Sequence, residues 1–400
     1  MSNSQPYWQR RDLLLRLVAD SVRAEFLIQH PDGFPPPLPW PENFDFADQL
    51  GADSLDRLSA ATVLSAQLRL DRSGLADVLL ARRYLSDCAD VMEASLARYS
   101  ETVQFRSSGS QGAPVWHEHR LARLGAELDA LVPVFAGGIK RVIAAVPAHH
   151  IYGFLFTILL PARLGVPVID LRAASPGSAV AQIEASDLIV GHPLWWRAFA
   201  AAGGACAPAL GLVSTAPCPV ETADAVRATG LARLIEIYGS TETAGIGWRA
   251  AGGGAFTLLD TWQPGGDGGL LDDQGVAVSP PDWLDWQAAR SFTVRGRKDG
   301  QVQVAGINVD LAEVRACLMG VPGVADVALR LAETGRLKAF IVPGPDADEA
   351  AVRSALQAQV RLHLAAPARP ASWTFGPHLP ISETGKPADW PVAAHGGRFD

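Results

Sequence analysis

The chain has 400 residues, 48% hydrophobic and 19% charged, a balance that makes a packed globular protein with room for two or three domains and excludes an intrinsically disordered one. Its formal net charge is -8 and its pI is near 5.6, which argues against a non-specific nucleic-acid or anionic-membrane surface, since those need concentrated Lys and Arg. The stretch from Met1 to Arg11 has no apolar signal core, and the most apolar run, Ile151 to Ile169, is broken by Gly, Pro and Arg, so the expected location is the cytoplasm, with no insertion into a membrane.

In chain order, the first element is a helical pattern from Asp12 to Ile28 that stops near His30-Pro-Asp-Gly33. A proline-rich loop, Phe34 to Pro41, leads to Leu50-Gly-Ala-Asp-Ser-Leu55, where Asp53 or Ser54 caps a helix predicted to turn Leu55, Leu58, Thr62 and Leu64 inward. A second helical pattern spans Gly74 to Leu96. This order of long helix, long loop, Leu-Gly-Ala-Asp-Ser-Leu and further helices resembles an acyl carrier protein domain over about residues 10 to 98. The resemblance implies phosphopantetheine attachment at Ser54; helix capping accounts for the same Asp-Ser pair without chemistry.

Phe105-Arg-Ser-Ser-Gly-Ser-Gln-Gly-Ala-Pro-Val115 is rich in glycine and hydroxyl groups, the composition of a loop whose amides and side chains cradle phosphate. Leu121, Leu124, Leu128 and Leu131 predict a helix directly after it, aiming the positive end of its dipole at the same anion. His117 and His119 fall on that predicted helix, where residues two apart diverge, and read as solvated rather than as a metal pair. Cys88, Cys206, Cys218 and Cys317 are scattered with no Cys-x-x-Cys pair, so they read as reduced and structural.

From Arg98 onward, short apolar strands alternate with helices as in a layered α/β domain: Arg141–Val146, Val168–Ile169, Asp187–Val190, Gly211–Val213 and Leu234–Ile237. Residues Trp248 to Val278 read as a small glycine-rich β-region. After Gly296-Arg-Lys-Asp-Gly300 a tail of about 100 residues reads strand, helix, strand, strand, helix, strand, which puts a domain boundary near Asp299.

Two strand ends carry chemistry: Val146-Pro-Ala-His-His-Ile-Tyr-Gly-Phe154, with imidazole and aromatic groups, and Ile237-Tyr-Gly-Ser-Thr-Glu-Thr243, with a ring, hydroxyls and a carboxylate. Arg295 to Val309 joins basic, glycine-bearing and apolar elements in a hinge-like run, and Leu379-Pro-Ile-Ser-Glu-Thr-Gly-Lys-Pro387 sets Lys386 on a tight turn.

With these motifs in this order, the chain from about residue 99 resembles the adenylate-forming superfamily of acyl- and aryl-CoA synthetases, peptide-synthetase adenylation domains and luciferases. The resemblance implies an α/β protein: a helical carrier-like module (1–98), a shortened layered adenylation core (99–298) and a small mobile α+β C-terminal domain (299–400). It implies ATP phosphates held by Ser107, Ser108, Gly109, Ser110 and Gly112, and adenine beside Ala216 and Tyr238. Thr241 would bond the α-phosphate and Glu242 would ligate Mg2+. The ribose carboxylate would be Asp282 or Asp285, with Asp282 favoured by its distance to Arg297, which would assist at ribose or phosphate. Lys386 would contact the attacking carboxylate and the α-phosphate.

The same resemblance implies that His150, Tyr152, Gly153 and Ser214 surround the acid, with Trp195 and Trp196 either nearby or in the core. Asp299 would be the hinge and Gly306 would line the thiol tunnel. The reaction implied is acid plus ATP to an acyl-adenylate, then transfer to coenzyme A or to a phosphopantetheinyl carrier, in trans or in cis; aromatic walls favour an aryl acid. Two departures stand out: Val115 where a lysine is usual, and Gln111 in place of the common threonine. They motivate an alternative, a carrier or docking protein whose synthetase part no longer catalyses.

Overall fold

The computed structural model describes residues 5–30, 33–107, 115–135, 138–298, 301–304, 307–332, 335–382 and 388–391. They form two compact units, Met1–Pro280 with Trp286–Thr293, and Pro281–Asp285 with Val294–Asp400.

The first unit opens with helices α1 (Arg11–Gln29), α2 (Ser54–Leu68), α3 (Ala76–Leu80) and α4 (Leu85–Leu96). At the start of α2, the Asp53 carboxylate accepts from the amides of Leu55 (2.7 Å) and Asp56 (2.9 Å), and Asp56 accepts from the Asp53 amide (2.9 Å). This reciprocal capping box fixes the helix start. The buried face of α2 differs in phase from the sequence reading: Leu64 is buried, but Leu55 and Leu58 are 70% and 47% exposed, and Thr62 is exposed. Nine residues at about 100° each put Leu55 half a turn from Leu64. The inward row is Asp56, Ala60, Leu64 and Leu68, one every four residues.

Polar and aromatic contacts tie these helices to the chain around residues 148–172. Asp20 on α1 accepts from the Ala148 amide (2.6 Å) and pairs with Arg172 (2.7 Å), Gln67 Nε2 on α2 donates to the His149 carbonyl (2.9 Å), and the Tyr7 ring packs edge-on against Phe154. Where the sequence reading separates residues 1–98 from residues 99–298, the structure has one compact unit, because these buried contacts bridge the two stretches.

Strands β1 (Thr102–Arg106) and β2 (Trp116–Arg120) form an antiparallel hairpin, with Val103 opposite His119 and Phe105 opposite His117. Helix α5 (Leu121–Phe135) begins only after it. This corrects the reading that ran the glycine-serine loop straight into a helix carrying His117 and His119. Those histidines lie on a strand, where residues two apart share a face. Pairing with β1, whose Val103 and Phe105 are buried, makes β2 a strand although its own residues are polar. Leu124, Leu128 and Leu131 of α5 are buried as their spacing predicts, joined by Glu127.

The main sheet continues with β3 (Arg141–Ala144), β4 (Val168–Asp170), β5 (Asp187–Gly191), β6 (Leu210–Val213) and β7 (Arg233–Ser240), parallel in the order β4-β3-β5-β6-β7. Strands β8 (Ala244–Ala250) and β9 (Phe256–Leu258) extend it antiparallel from β7. A small sheet comes next, β10 (Gln263–Pro264), β11 (Leu270–Leu271) and β12 (Ala277–Val278), where the sequence reads as a β-region. The hairpin β13 (Asp282–Ala288) and β14 (Ser291–Arg297) adds the last two strands.

Helix α6 (Ile151–Phe154) passes through a π turn, Leu155–Leu159, into α7 (Leu160–Leu164); α8 (Pro176–Gln182), α9 (Pro193–Ala201) and α10 (Val220–Ala228) complete the crossovers. Trp196 on α9 is fully buried, its Nε1 donating to the Leu212 carbonyl (2.9 Å), and Trp195 packs against the same cluster, so both belong to the core.

The second unit holds β15 (Gln301–Val304), β16 (Ile307–Asp310), α11 (Leu311–Met319), β17 (Val324–Leu331), β18 (Leu337–Pro343), α12 (Glu349–His363) and β19 (Ser372–Phe375). Val314, Leu318, Ile341 and Leu356 centre its own apolar core. From α11 onward the order helix, strand, strand, helix, strand is the one the sequence reading gives, but two strands, β15 and β16, paired antiparallel, precede α11 where that reading has one; the unit boundary falls inside the β13–β14 hairpin. Among the described residues, no helix is long and apolar enough to cross a membrane.

Candidate active site

The chain leaves β3 for β4 on one side and β5 for β6 on the other, and this reversal opens a crevice at the carboxyl ends of β3 and β5. The segment leaving β3 carries His150 and Tyr152 into that crevice. The Tyr152 hydroxyl donates to the Gly191 carbonyl at the end of β5 (3.2 Å), bridging the two strand ends. Gly153 is required by close packing: a Cβ there would stand 1.8 Å from the Pro147 carbonyl oxygen. The adjoining π turn widens the helix beside this loop. The His149 and His150 rings pack at 4.1 Å. Burial, then the guanidinium groups of Arg172, Arg106, Arg16 and Arg23, push His149 down to about 3, so its ring is neutral.

At the exit of β6, the Ser214 hydroxyl donates to the Ile237 carbonyl on β7 (2.8 Å), tying two strand ends together. Thr215 comes next with φ of 80°, a left-handed conformation that costs a β-branched residue on the order of 1–3 kcal/mol and that concentrates at ligand sites. Ala216, beyond it, is half-buried. Tyr238 on β7 is half-buried beside Phe256 and Phe292 (ring centroids 5.4 and 5.7 Å).

The β7–β8 turn presents Thr241 and Glu242. Gly239 permits its tightness, since a Cβ there would stand 2.2 Å from the Ala244 carbonyl oxygen. The Ser240 and Thr243 hydroxyls bond across it (2.9 Å). Glu242 is exposed, and its Oε1 lies 3.9 Å from His117 Nε2. His119 Nε2 donates to the Thr241 carbonyl (2.8 Å). Behind the turn, buried Glu127 accepts from the Gly245 amide (3.0 Å).

Burial pushes the Glu127 carboxyl up to about 7, against the smaller opposing pull of the Gly245 amide and Arg123. Folding therefore favours its protonated form. The unfolded chain holds fewer protons at this group above the ordinary carboxylate range, so stability falls as pH rises from there to about 7 and stays lower beyond, by at most about 3 kcal/mol. Glu127→Gln is expected to remove this decline, seen as a flatter midpoint of urea unfolding between pH 5 and 8.

Ser107 closes the base of the glycine-serine loop: its amide donates to the Val115 carbonyl (2.8 Å), and the Val115 amide donates to the Ser107 hydroxyl (3.3 Å). Ser108, Gly109, Ser110 and Gly112 lie outside the described residues, as do Asp299, Gly306 and Lys386, and so does the Arg297 side chain. In the second unit, Asp285 is held by Arg295 through two contacts of 3.0 Å. Beyond Lys386, the Ala388 amide donates to the Pro380 carbonyl (2.8 Å). Buried Lys338 then ties down the next residues, donating to the Trp390 carbonyl (2.8 Å) and pairing with Asp389 (2.7 Å).

The family described as AMP-binding enzyme matches residues 103–280. Over 353 residues, 85% of this chain and 90% of the relative, the sequence is 42% identical to a 4-coumarate–CoA ligase of Rhodobacter capsulatus. The chain belongs to the adenylate-forming, AMP-binding enzyme family. A 4-coumarate–CoA ligase of Halorhodospira halophila is 37% identical over 350 residues, 85% of this chain and 88% of that one. Among solved structures, ATP-bound MatB from Rhodopseudomonas palustris shares the fold with a TM-score of 0.54 at 20% identity, covering 76% of this chain and 71% of that one. The O-succinylbenzoate–CoA synthetase MenE of Bacillus subtilis, in complex with AMP, shares it with a TM-score of 0.53 at 17% identity, over 71% and 67% of the two chains.

Within the first unit, Tyr152 follows β3, Ser214 and Ala216 follow β6, and Thr241 and Glu242 follow β7, with Tyr238 near the end of β7; these are parallel strands of one sheet. Ser54 is exposed at the first residue of α2, whose start the Asp53–Asp56 box explains. His117, His119 and Glu127, which face the Thr241–Glu242 turn, were not among the expected site residues. Two signals mark them: histidines at period two in Trp-His-Glu-His-Arg, and a glutamate inside the apolar stripe Leu124, Leu128, Leu131. Among the described residues there is no group of three or more metal-ligating side chains. The exposed Glu242 carboxylate is a hard oxygen donor suited to magnesium shared with phosphate oxygens.

Proposed function

We propose that this chain is an AMP-forming acid–thiol ligase that activates an aromatic carboxylic acid with ATP and passes the acyl group to coenzyme A. The gathering of Tyr152, Ser214, the strained Thr215 and the Thr241–Glu242 turn at the carboxyl ends of β3, β6 and β7 is the observation that carries this reading. Similarity to relatives named 4-coumarate–CoA ligase supports a phenylpropenoic acid and coenzyme A over a fatty acid and a carrier protein.

In this reading the acid lies beside His150, Tyr152 and Gly153, with Ser214 near its carboxylate end. The aromatic edge of Tyr152, buried and fixed by its bond to Gly191, favours a flat ring. Adenine lies against Tyr238 and Ala216, Asp282 takes the ribose hydroxyls, and the Thr241 hydroxyl bonds the α-phosphate. Glu242 would hold magnesium, which neutralises phosphate charge when bound. Ser107 and the residues up to Gly112 cradle the triphosphate. Lys386 supplies positive charge where the acid carboxylate attacks the α-phosphate, expelling pyrophosphate and forming the acyl-adenylate. The thiol then attacks that mixed anhydride and AMP leaves. Turning of the second unit about Asp299, which replaces Lys386 by the strand around Gly306, separates the two steps in time.

ATP–pyrophosphate exchange across 4-coumarate, benzoate and octanoate tests the first step, and mass detection of the CoA thioester tests the second. Exchange with the aromatic acids and a thioester on free coenzyme A are expected. Exchange with octanoate alone overturns the choice of acid, and silence with every acid on folded protein overturns the ligase reading.

A further inference from the structure

The turn bearing Thr241 and Glu242 is gripped from both sides by the chain that leaves the phosphate loop. On the near side, His119 of β2 is 5% exposed, and its Nε2 lies 2.8 Å from the Thr241 carbonyl oxygen. A carbonyl only accepts, so this nitrogen carries the proton and donates. On the far side, Glu127 of α5 is 3% exposed, and its Oε2 accepts the Gly245 amide at 3.0 Å. Its Oε1 is buried and makes no hydrogen bond of its own among the described residues. An added Cβ on Gly245 would stand 2.2 Å from that oxygen, so the strand and the carboxyl group are packed with no slack. Between the two grips, Ala244 has φ of 59°, which a non-glycine residue holds only when its surroundings impose it.

We propose that His119 and Glu127 are positioning residues that couple the phosphate loop to the Thr241–Glu242 turn. Both sit on one continuous run, β2 into α5, that starts where Val115 closes the loop on Ser107. The bond to the Thr241 carbonyl fixes the peptide plane between Thr241 and Glu242, and with it the direction in which the Glu242 carboxylate leaves the backbone. The bond to Gly245 fixes where the turn re-enters the sheet. The turn whose groups would meet the α-phosphate and the cation is thereby held to the run that starts at Val115. A partner that orients a cation-binding carboxylate is typically worth about 10–100-fold in affinity or activity.

This inference rests on the proposed roles of Thr241 and Glu242, so the test carries a control for them. Mn2+ binding with a non-hydrolysable ATP analogue, followed by electron paramagnetic resonance, is measured alongside kcat and KM for ATP in pyrophosphate exchange. The variants are His119→Met, His119→Gln, Glu127→Leu, Glu127→Gln and Glu242→Ala. His119→Met, which keeps bulk without a donor, is expected to weaken Mn2+ binding and lower kcat by about tenfold, with a raised KM for ATP. His119→Gln, which keeps an N–H donor, should recover most of that loss, and Glu127→Gln should likewise outperform Glu127→Leu.

If Glu242→Ala leaves Mn2+ binding unchanged, the underlying assignment of Glu242 fails. If Glu242→Ala weakens it but His119→Met and His119→Gln behave alike, the coupling fails. Should the apolar variants not fold, amide exchange of residues 241–245 in the wild type decides the point: protection that rises when ATP analogue binds supports the coupling, and protection indifferent to it overturns the coupling.

Discussion

Replacing Lys386 by alanine is expected to lower ATP–pyrophosphate exchange by about 10²–10³-fold, the usual cost of deleting one group that meets charge developing in the transition state. The reason lies at the other end of the site. In the family pattern a lysine ends the glycine-serine loop, and here Val115 stands in that place, 56% exposed and bonded through its backbone to Ser107. The loop therefore offers amides and hydroxyls but no cation of its own at that position. Charge for the phosphates has to come from elsewhere, and a lysine, a compact ammonium on a flexible stem, is suited to deliver it. The companion measurement is thioester formation from pre-made acyl-adenylate, which Lys386→Ala should leave within a few-fold of wild type. An equal loss in both steps would mean that Lys386 acts on folding or thiol binding, and full exchange activity would remove it from the chemistry. Val115→Lys should lower the KM for ATP in the wild type and lessen the loss in the alanine variant.

Much of the architecture is written in apolar runs. The runs Val142–Ala144 of β3, Leu188–Gly191 of β5 and Leu210–Val213 of β6 are buried on both faces and continuously apolar, so they stand out from the helices around them, and in β7 only Glu236 interrupts the buried run Leu234–Ile237. The candidate site was legible for a different reason: its groups sit on short motifs whose order along the chain is set by the order of strand ends. The features that escaped the sequence are those that depend on a partner. Trp116–Arg120 has the residues of a solvated segment and becomes a strand because β1 pairs with it. Leu55 and Leu58 look like a helix core, but Asp56 faces inward on α2 in their stead, accepting the Asp53 amide and meeting the His30 ring at 2.9 Å. His119 and Glu127 are polar groups buried against backbone of a turn more than a hundred residues away, and no local pattern encodes that distance.

Asp20→Ala is expected to destabilise the protein by about 3–5 kcal/mol, the cost of stripping one partner from a buried ion network. The Asp20 side chain is 1% exposed, 2.7 Å from Arg172 and 3.8 Å from Arg16, and it accepts from the Ala148 amide at 2.6 Å. Without it, two guanidinium groups share Asp170 alone, and a buried amide loses its acceptor. Burial disfavours the ionised form of Asp170, yet its hydrogen bond to Arg172 and the charge of Arg16 hold it down to about 2, so it stays charged but cannot neutralise both arginines. The same change discriminates between two organisations of the chain. If the helices before residue 98 were a free-standing carrier-like module, Asp20→Ala would loosen them alone and urea unfolding would split into separate transitions for helices and sheet. If they are part of the adenylate-forming unit, near- and far-ultraviolet signals should move together to lower urea. The Ala148 amide adds a functional arm, because it lies two residues before His150 in the segment proposed to meet the acid. Asp20→Asn, which keeps an acceptor for that amide but not the charge, should lose stability yet retain more acid binding than Asp20→Ala. Equal acid affinity in the two variants would uncouple α1 from the substrate loop.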